Sequence, residues 1–451
     1  MRKIILFLIC IILSISAVSA SDIEKTIKNF GINPSALSVS VREVETGQEV
    51  YSLNKKVPMT PASTLKLVTL AASLDSLGKD YNFSTKLYKS TNNDLYLVLS
   101  GDPFLKTSDI EELLAIAHEK NILTPKNFYI DDSVFDGNEW GEGWQWDDDL
   151  NPLMPKFSSY NLDKNLLNIE VVPNTKGAPA SVSIKPFYPL TLMNMATSNY
   201  TEGASNLKIS HNTDLSPNIL NVSGTVAKTS VVNVPVPSPK RYFKLRLEDS
   251  IKAKKIEYYG PIKNAVLPDK NVYLVHEINH NIASIMDDIL KNSNNMSAES
   301  LYKKAGAEWT KTQGTIDNSN AMLQNYLSKL AIQCDDIKIV DGSGVSKNNL
   351  MTSDFMTNFL VNLAKHDEDE FYRSHMPVPG EGTLKNRMLY FRKNLKAKTG
   401  TLSDTSAIAG YITSRKGKVY AFDIMIKDAK TSSSDKKNIE EQILRQIYVN
   451  Y

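Results

Sequence analysis

Residues 61 to 78 read PASTLKLVTLAASLDSLG. Pro61 and Ser63 suit the start of a helix, the apolar residues recur at helical spacing, and Gly78 is a natural stop. Inside this stretch, Ser63-Thr64-Leu65-Lys66 sets a hydroxyl and an amine three residues apart. That spacing puts both side chains on one helix face. A serine hydroxyl is a poor nucleophile near neutral pH and needs an adjacent base. A lysine whose pKa is lowered by burial and nearby cations can serve. The helix N-terminus adds backbone N–H groups and positive potential for an oxyanion. Ser52 with Lys55, Ser76 with Lys79 and Ser434 with Lys437 repeat the spacing. The first pair reads as strand, the second as a helix end, the third as a polar run. Only Ser63 opens an apolar helix.

Upstream, ALSVSVREV and EVYSL alternate apolar and polar residues around the turn ETGQ, which is a β-hairpin signal. From about 281 the chain is helical. It ends with the alternating strands SAIAGYITSR and VYAFDIMIKD and a terminal helix. Between about 84 and 270 lie short strands such as DLYLVLS, KNFYIDD, ASVSIKPF and NILNVSGTV, with SDIEELLAIAHEK the one clear helix. VNVPVPSPKRYF, with its prolines, reads as a linker or edge segment. The simplest architecture is one α/β (α+β) domain made from both ends, with a mainly β insertion.

Lys398-Thr399-Gly400-Thr401 precedes the last strand pair. Gly400 would admit close backbone approach and Lys398 would hold a carboxylate. Ser-x-Asn occurs at Ser293-Asn294-Asn295, between two helices, and at Ser346-Lys347-Asn348. A loop between helices can present a hydroxyl and an amide across a cleft, which favours Ser293 and Asn295. One rival motif is His276-Glu277-Ile278-Asn279-His280, the H-E-x-x-H pattern of zinc peptidases. Two histidines at i and i+4 converge on a metal only in a helix. NVYLVHEI reads as strand, with a loop expected at His280, so no metal site is expected.

Residues 1–20 combine Arg2, Lys3, an apolar run from Ile4 to Ile15 and a small residue at Ala20, which reads as a signal peptide. No later stretch is long and apolar enough for a transmembrane segment. Without Arg2 and Lys3 the formal charge falls from +2 to zero, which gives no electrostatic case for nucleic acid. Loss of Cys10 leaves only Cys334, so no intrachain disulfide is expected. An exported, disulfide-free chain of this size reads as bacterial.

The triplet Ser-x-x-Lys, Ser-x-Asn, Lys-Thr-Gly is the signature of penicillin-interacting serine enzymes. PASTLKLVT, LSGDPFL, GWQWDDDL, KNSNNMSAE, VDGSGVSKNN, GEGTLKNRM and AKTGTLSDTSAIAGY resemble the low-molecular-mass class C penicillin-binding proteins, serine D-alanyl-D-alanine carboxypeptidases and endopeptidases. The resemblance implies a penicillin-binding/β-lactamase-like transpeptidase fold, with an antiparallel sheet flanked by helices. Residues 21–83 and 271–451 would form the catalytic domain, 84–165 with 241–270 an inserted domain II, and 166–240 an inserted domain III. It also favours Ser293 over Ser346.

On this resemblance Ser63 attacks the carbonyl between two D-alanines and Lys66 takes its proton. Ser293, held near Lys66, relays the proton to the leaving amine. Asn295 binds a substrate amide, and Lys398 and Thr399 grip the terminal carboxylate. The N–H groups of Ser63 and Thr401 form the oxyanion hole, with Gly400 between them. Trp144 and Asp147 are candidates for the free amine of the peptide stem. No cofactor is implied. The implied partners are peptidoglycan stem peptides and β-lactam inhibitors, on the periplasmic or cell-wall side of the membrane. The alternatives are a β-lactamase or esterase on the same fold, a non-catalytic cell-wall binder, and the zinc reading.

Overall fold

The structure is a computed structural model and describes residues 23–199, 205–212, 216–335, 337–367 and 369–451. The expected signal peptide at 1–20 lies outside the described residues. The chain divides into two compact units. One comprises Met1–Tyr81, Gly141–Trp144 and Asn281–Tyr451, the other Asn82–Trp140 and Gln145–His280.

In the first unit, five antiparallel strands form one sheet. Their order is Leu395–Thr401, Thr405–Thr413, Val419–Lys427, Leu37–Glu43, Glu49–Leu53. The amino-terminal hairpin therefore completes a sheet whose other strands are the last in the chain. Gly47, with φ +73°, takes the left-handed position of the hairpin turn. One sheet face carries Val39, Val41, Ile408, Ile412, Phe422 and Ile424 against Ile439, Ile443 and Ile447 of the helix Ser433–Asn450. The alternating serines of the first strand do not face water. Ser38 Oγ lies 2.7 Å from Ser353 Oγ and Ser40 Oγ 2.7 Å from Thr357 Oγ1, on the helix Ser353–His366. Both sheet faces are covered by helices, and hydroxyl pairs meet the hydrogen-bonding needs of the second face.

The second unit holds a five-stranded sheet in the order Lys263–Asn264, Phe128–Asp131, Leu95–Val98, Asn82–Ser90, Val272–Asn281. It also holds two three-stranded sheets. One apolar cluster runs through all three sheets, including Leu97, Phe128, Ile169, Val222 and Val234. The strand Val272–Asn281 belongs to this unit's sheet, so the chain returns to the first unit at Asn281 rather than at 271. Alternation had marked it as a strand but could not say which sheet would take it.

Two readings need correction. The prolines of VNVPVPSPKRYF do not make a linker. Ser230–Pro235 is an edge strand of a three-stranded sheet, as the other half of that reading has it, and Pro239–Ala253 is a helix that the sequence reading missed. Ser238 caps it by accepting from Arg241 N at 3.3 Å, and Pro239 sits at its first turn. Tyr242, Phe243, Leu247 and Ile251 supply its buried stripe. The zinc-like histidines sit on one continuous strand, with no loop at His280. They share a sheet face, but four residues of strand separate them by about 13 Å, too far for one ion. His280 Nδ1 lies 2.6 Å from Asp102 Oδ2, and His276 Nε2 lies 3.5 Å from Glu112 Oε1.

Candidate active site

Ser63 lies on a 3-10 turn, Ala62–Leu65, that runs into the α-helix Lys66–Leu77. Three residues per turn eclipse positions i and i+3, so Ser63 and Lys66 stand one above the other. Lys66 Nζ is 2.9 Å from Ser63 Oγ. Just before Ser63, Ala62 is fully buried with φ +49°, a strained conformation for a residue with a Cβ. The strand Leu395–Thr401 passes against this turn. A Cβ on Gly400 would stand 2.8 Å from Ser63 N and 3.0 Å from Pro61 O. Only glycine lets the strand come this close to the nucleophile's amide.

Lys66 is fully buried. Its other partners are Asn295 Oδ1 at 2.7 Å and the Ser343 carbonyl at 2.6 Å. Both are oxygens without a proton. A neutral Lys66 can donate to these two and must turn its lone pair to Ser63, the one partner with a proton to give. Burial pushes the Lys66 ammonium down to about 7, against the opposing pull of Asp341 and Glu299. An amine of this affinity is half neutral near neutral pH and suits a general base.

Ser293 sits between the helices Ile282–Lys291 and Asn295–Thr310 with φ +60°. Asn294 caps the second helix by accepting from Ser297 N at 3.1 Å. The expected neighbour of Ser293 was Lys66, but its partner is Lys398, whose Nζ donates to Ser293 Oγ at 2.8 Å. Of the Ser-x-Asn pair, Asn295 is the member that meets Lys66. Ser346, the rival serine, is fully buried and gives its backbone N–H to Asp341 at 2.7 Å.

Lys398 is fully buried and also donates to the Thr399 carbonyl at 2.9 Å. Burial, and then the charge of Lys66, hold its ammonium well below the ordinary lysine range. Thr399 Oγ1 donates to Thr383 Oγ1 at 2.8 Å, and Thr401 is exposed at the strand end. Lys398 is thus not an open cation beside the cleft. It stands behind Ser293.

The structure gives roles that sequence reading did not assign. Glu299, fully buried, accepts from Gly342 N at 2.9 Å and Ser343 N at 2.8 Å. Burial, followed by the charge of Asp341, raises its carboxyl to about 7. Asp341 accepts from Gly344 N, Ser346 N, Asn349 Nδ2 and Trp144 Nε1, all between 2.7 and 2.9 Å. Nothing in the letters Asp-Gly-Ser-Gly marks Ser343 as a partner of Lys66. Trp144 is buried and spends its indole N–H on Asp341, so it braces the site from within. Asp147 is exposed on the short turn Trp146–Asp148 of the other unit. Among the described residues no cluster of metal-ligating side chains is present.

These positions fix a pH dependence. With Lys66 as the base for acylation of Ser63, the rate is expected to rise with pH and level off above about 7. Glu299 titrates in the same range, so the observed limb belongs to the pair. Second-order acylation rates with a chromogenic penicillin check this. A flat profile between about pH 5 and 9 would remove Lys66 as the base.

The sequence matches the family described as D-Ala-D-Ala carboxypeptidase 3 (S13) over residues 19–447. It is 28% identical over 434 residues to a D-alanyl-D-alanine carboxypeptidase of Actinomadura sp. (strain R39), covering 90% of this chain and 80% of that one. It is 23% identical over 416 residues to a D-alanyl-D-alanine carboxypeptidase of Haemophilus influenzae, covering 88% of this chain and 86% of the relative. The fold is similar to the crystal structure of penicillin binding protein 4 from Haemophilus influenzae. The TM-score is 0.81 at 22% identity, over 93% of this chain and all of that one. The same protein complexed with a β-lactam superposes with a TM-score of 0.76 at 21% identity, over 93% of this chain and 100% of that one.

Proposed function

The chain belongs to the D-Ala-D-Ala carboxypeptidase 3 (S13) family, and from that premise we propose how its residues divide the work of a serine D-alanyl-D-alanine carboxypeptidase. Neutral Lys66 takes the proton of Ser63 as Ser63 Oγ bonds to the carbonyl carbon between two D-alanines. The amide N–H of Ser63, at the head of the helix, and that of Thr401 stabilise the oxyanion. The C–N bond then breaks, the proton passes to the leaving D-alanine amine, and water hydrolyses the acyl-enzyme. The observation that carries this reading is the 2.9 Å contact between Ser63 and a fully buried Lys66.

The substrate is a peptidoglycan stem peptide lying along the strand Leu395–Thr401. This strand ends the sheet, and its outer edge can pair an extended peptide. The terminal carboxylate docks at Thr399 and Thr401, and its charge restores the proton of Lys398 behind them. Ser293, held by this lysine, lies on the path by which the Ser63 proton passes from Lys66 to the leaving amine. Asn295 orients Lys66 and offers its amide to the substrate. β-Lactams enter as carbonyl analogues and acylate Ser63. The reaction belongs outside the cytoplasmic membrane, after removal of residues 1–20. No described helix is long and apolar enough to cross a membrane. The second unit, Asn82–Trp140 with Gln145–His280, selects the stem peptide, with Asp147 as the candidate for its free amine.

Mass spectrometry of the penicilloyl adduct tests the assignment. The adduct is expected on the peptide containing Ser63, and an adduct elsewhere would overturn it. A double-mutant cycle tests the Ser293–Lys398 pair. Ser293→Ala and Lys398→Met should each lower turnover of a D-Ala-D-Ala peptide, and the double variant should lose little more than the worse single one. Additive losses would mean the two act separately.

A further inference from the structure

Two buried carboxylates share the turn that touches Lys66, and the acyl-transfer scheme above uses neither. The peptide unit between Ser343 and Gly344 has Lys66 Nζ at its carbonyl, 2.6 Å away. Its N–H, on Gly344, goes to Asp341 Oδ1 at 2.8 Å. The preceding N–H groups, of Ser343 and Gly342, go to the two oxygens of Glu299. Hydrogen bonds in such a chain polarise one another at low dielectric. A carboxylate that draws on the Gly344 N–H makes the Ser343 carbonyl a better acceptor for an ammonium.

The turn cannot slide out of this role. A Cβ on Gly344 would meet the Ala62 carbonyl oxygen at 2.0 Å, and one on Gly342 would meet Tyr302 Cβ at 2.8 Å. The turn is wedged between the nucleophile segment and the helix Asn295–Thr310. Trp144 closes Asp341 from the other side.

We propose that Asp341 and Glu299, acting through the Gly342–Gly344 turn, hold the Ser63 proton on Lys66 until the leaving amine collects it. They are positioning residues, since neither touches Ser63. The proton leaves Ser63 Oγ as the O–C bond forms, rests on Lys66, and ends on the amine nitrogen as the C–N bond breaks. Lys398 faces the same group and repels its charge. Without opposing carboxylates, two buried ammonium groups would stand together. Tyr302, also fully buried, feels both carboxylates and stays protonated beside them. The inference rests on Lys66 being the base.

The test is the pH profile of penicillin acylation in the full chain. Glu299→Gln removes the negative charge that Glu299 carries once it has titrated and should move the acidic limb down, with a lower plateau. Glu299→Asp should return the limb toward its original position. Trp144→Phe strips one donor from Asp341, leaves its charge less compensated, and should move the limb up. Opposite shifts from two variants are not what loss of packing produces. A limb unmoved in both variants, with only the plateau lowered, would reduce Glu299 and Asp341 to scaffolding. If Glu299→Gln fails to fold, Trp144→Phe decides by the same criterion. Lys66→Ala separates the two ideas. A limb that survives it sinks Lys66 as the base. A limb that it abolishes but Glu299→Gln and Trp144→Phe leave in place sinks only the present inference.

Discussion

Lys66→Ala is expected to slow acylation of Ser63 by at least about 10²–10⁴-fold, the usual contribution of a positioned general base, while the fold persists. Lys66→Arg is expected to fare little better. A guanidinium keeps the charge but does not give up its proton in a protein, so it cannot accept one from Ser63. It also cannot fit the three contacts at 2.6 to 2.9 Å that one ammonium nitrogen now satisfies. Stopped-flow acylation of both variants checks this. Near-normal acylation by Lys66→Arg would sink the role given to Lys66.

The second large effect is expected from a single methyl group. Gly400→Ala places a Cβ 2.8 Å from Ser63 N, 2.9 Å from Ala62 Cβ and 3.0 Å from Pro61 O. The first and last of these are backbone atoms and cannot swing aside. The strand and the nucleophile turn must separate by some tenths of an ångström. Misplacement of a reacting group on the 1 Å scale can cost about 10²-fold, and a loss approaching that size is expected in acylation. Thermal stability should change far less, because the strand keeps its pairing with Thr405–Thr413. Acylation within a few-fold of the parent would mean that the close approach is not needed.

The terminal hairpin, the nucleophile helix and the last two strands were legible because each buries one face at a clean period. Ser63, Lys66 and the Lys-Thr-Gly strand were legible because short spacings on regular elements fix geometry. The helix Pro239–Ala253 was not, because three prolines hid its cap and its polar residues diluted the stripe. The partner of Ser293 was not legible either. Whether a loop hydroxyl reaches one lysine or another depends on how two helices and a strand meet. The roles of Glu299, Asp341 and Ser343 were hidden for a related reason. A backbone carbonyl has no letter in the sequence, and a buried carboxylate on a helix reads like a solvated one. The serines of ALSVSVREV show the same limit, since alternation gave the strand but not the cover over its second face.

The pairing of Leu37 with Ile426 has a consequence for how the enzyme comes to exist. A strand near the start of the chain waits for one near its end before the central sheet can close. Contacts this distant are slow to form and leave apolar strands open to wrong partners in the meantime. Lys66 likewise needs Asn295 and Ser343, and Ser63 needs the strand that carries Gly400. A chain truncated before the last strands is expected not to present the nucleophile, so that reaction with penicillin would double as a readout of completed folding. In a pulse-chase experiment, covalent labelling is expected to lag behind synthesis by the time the sheet takes to close.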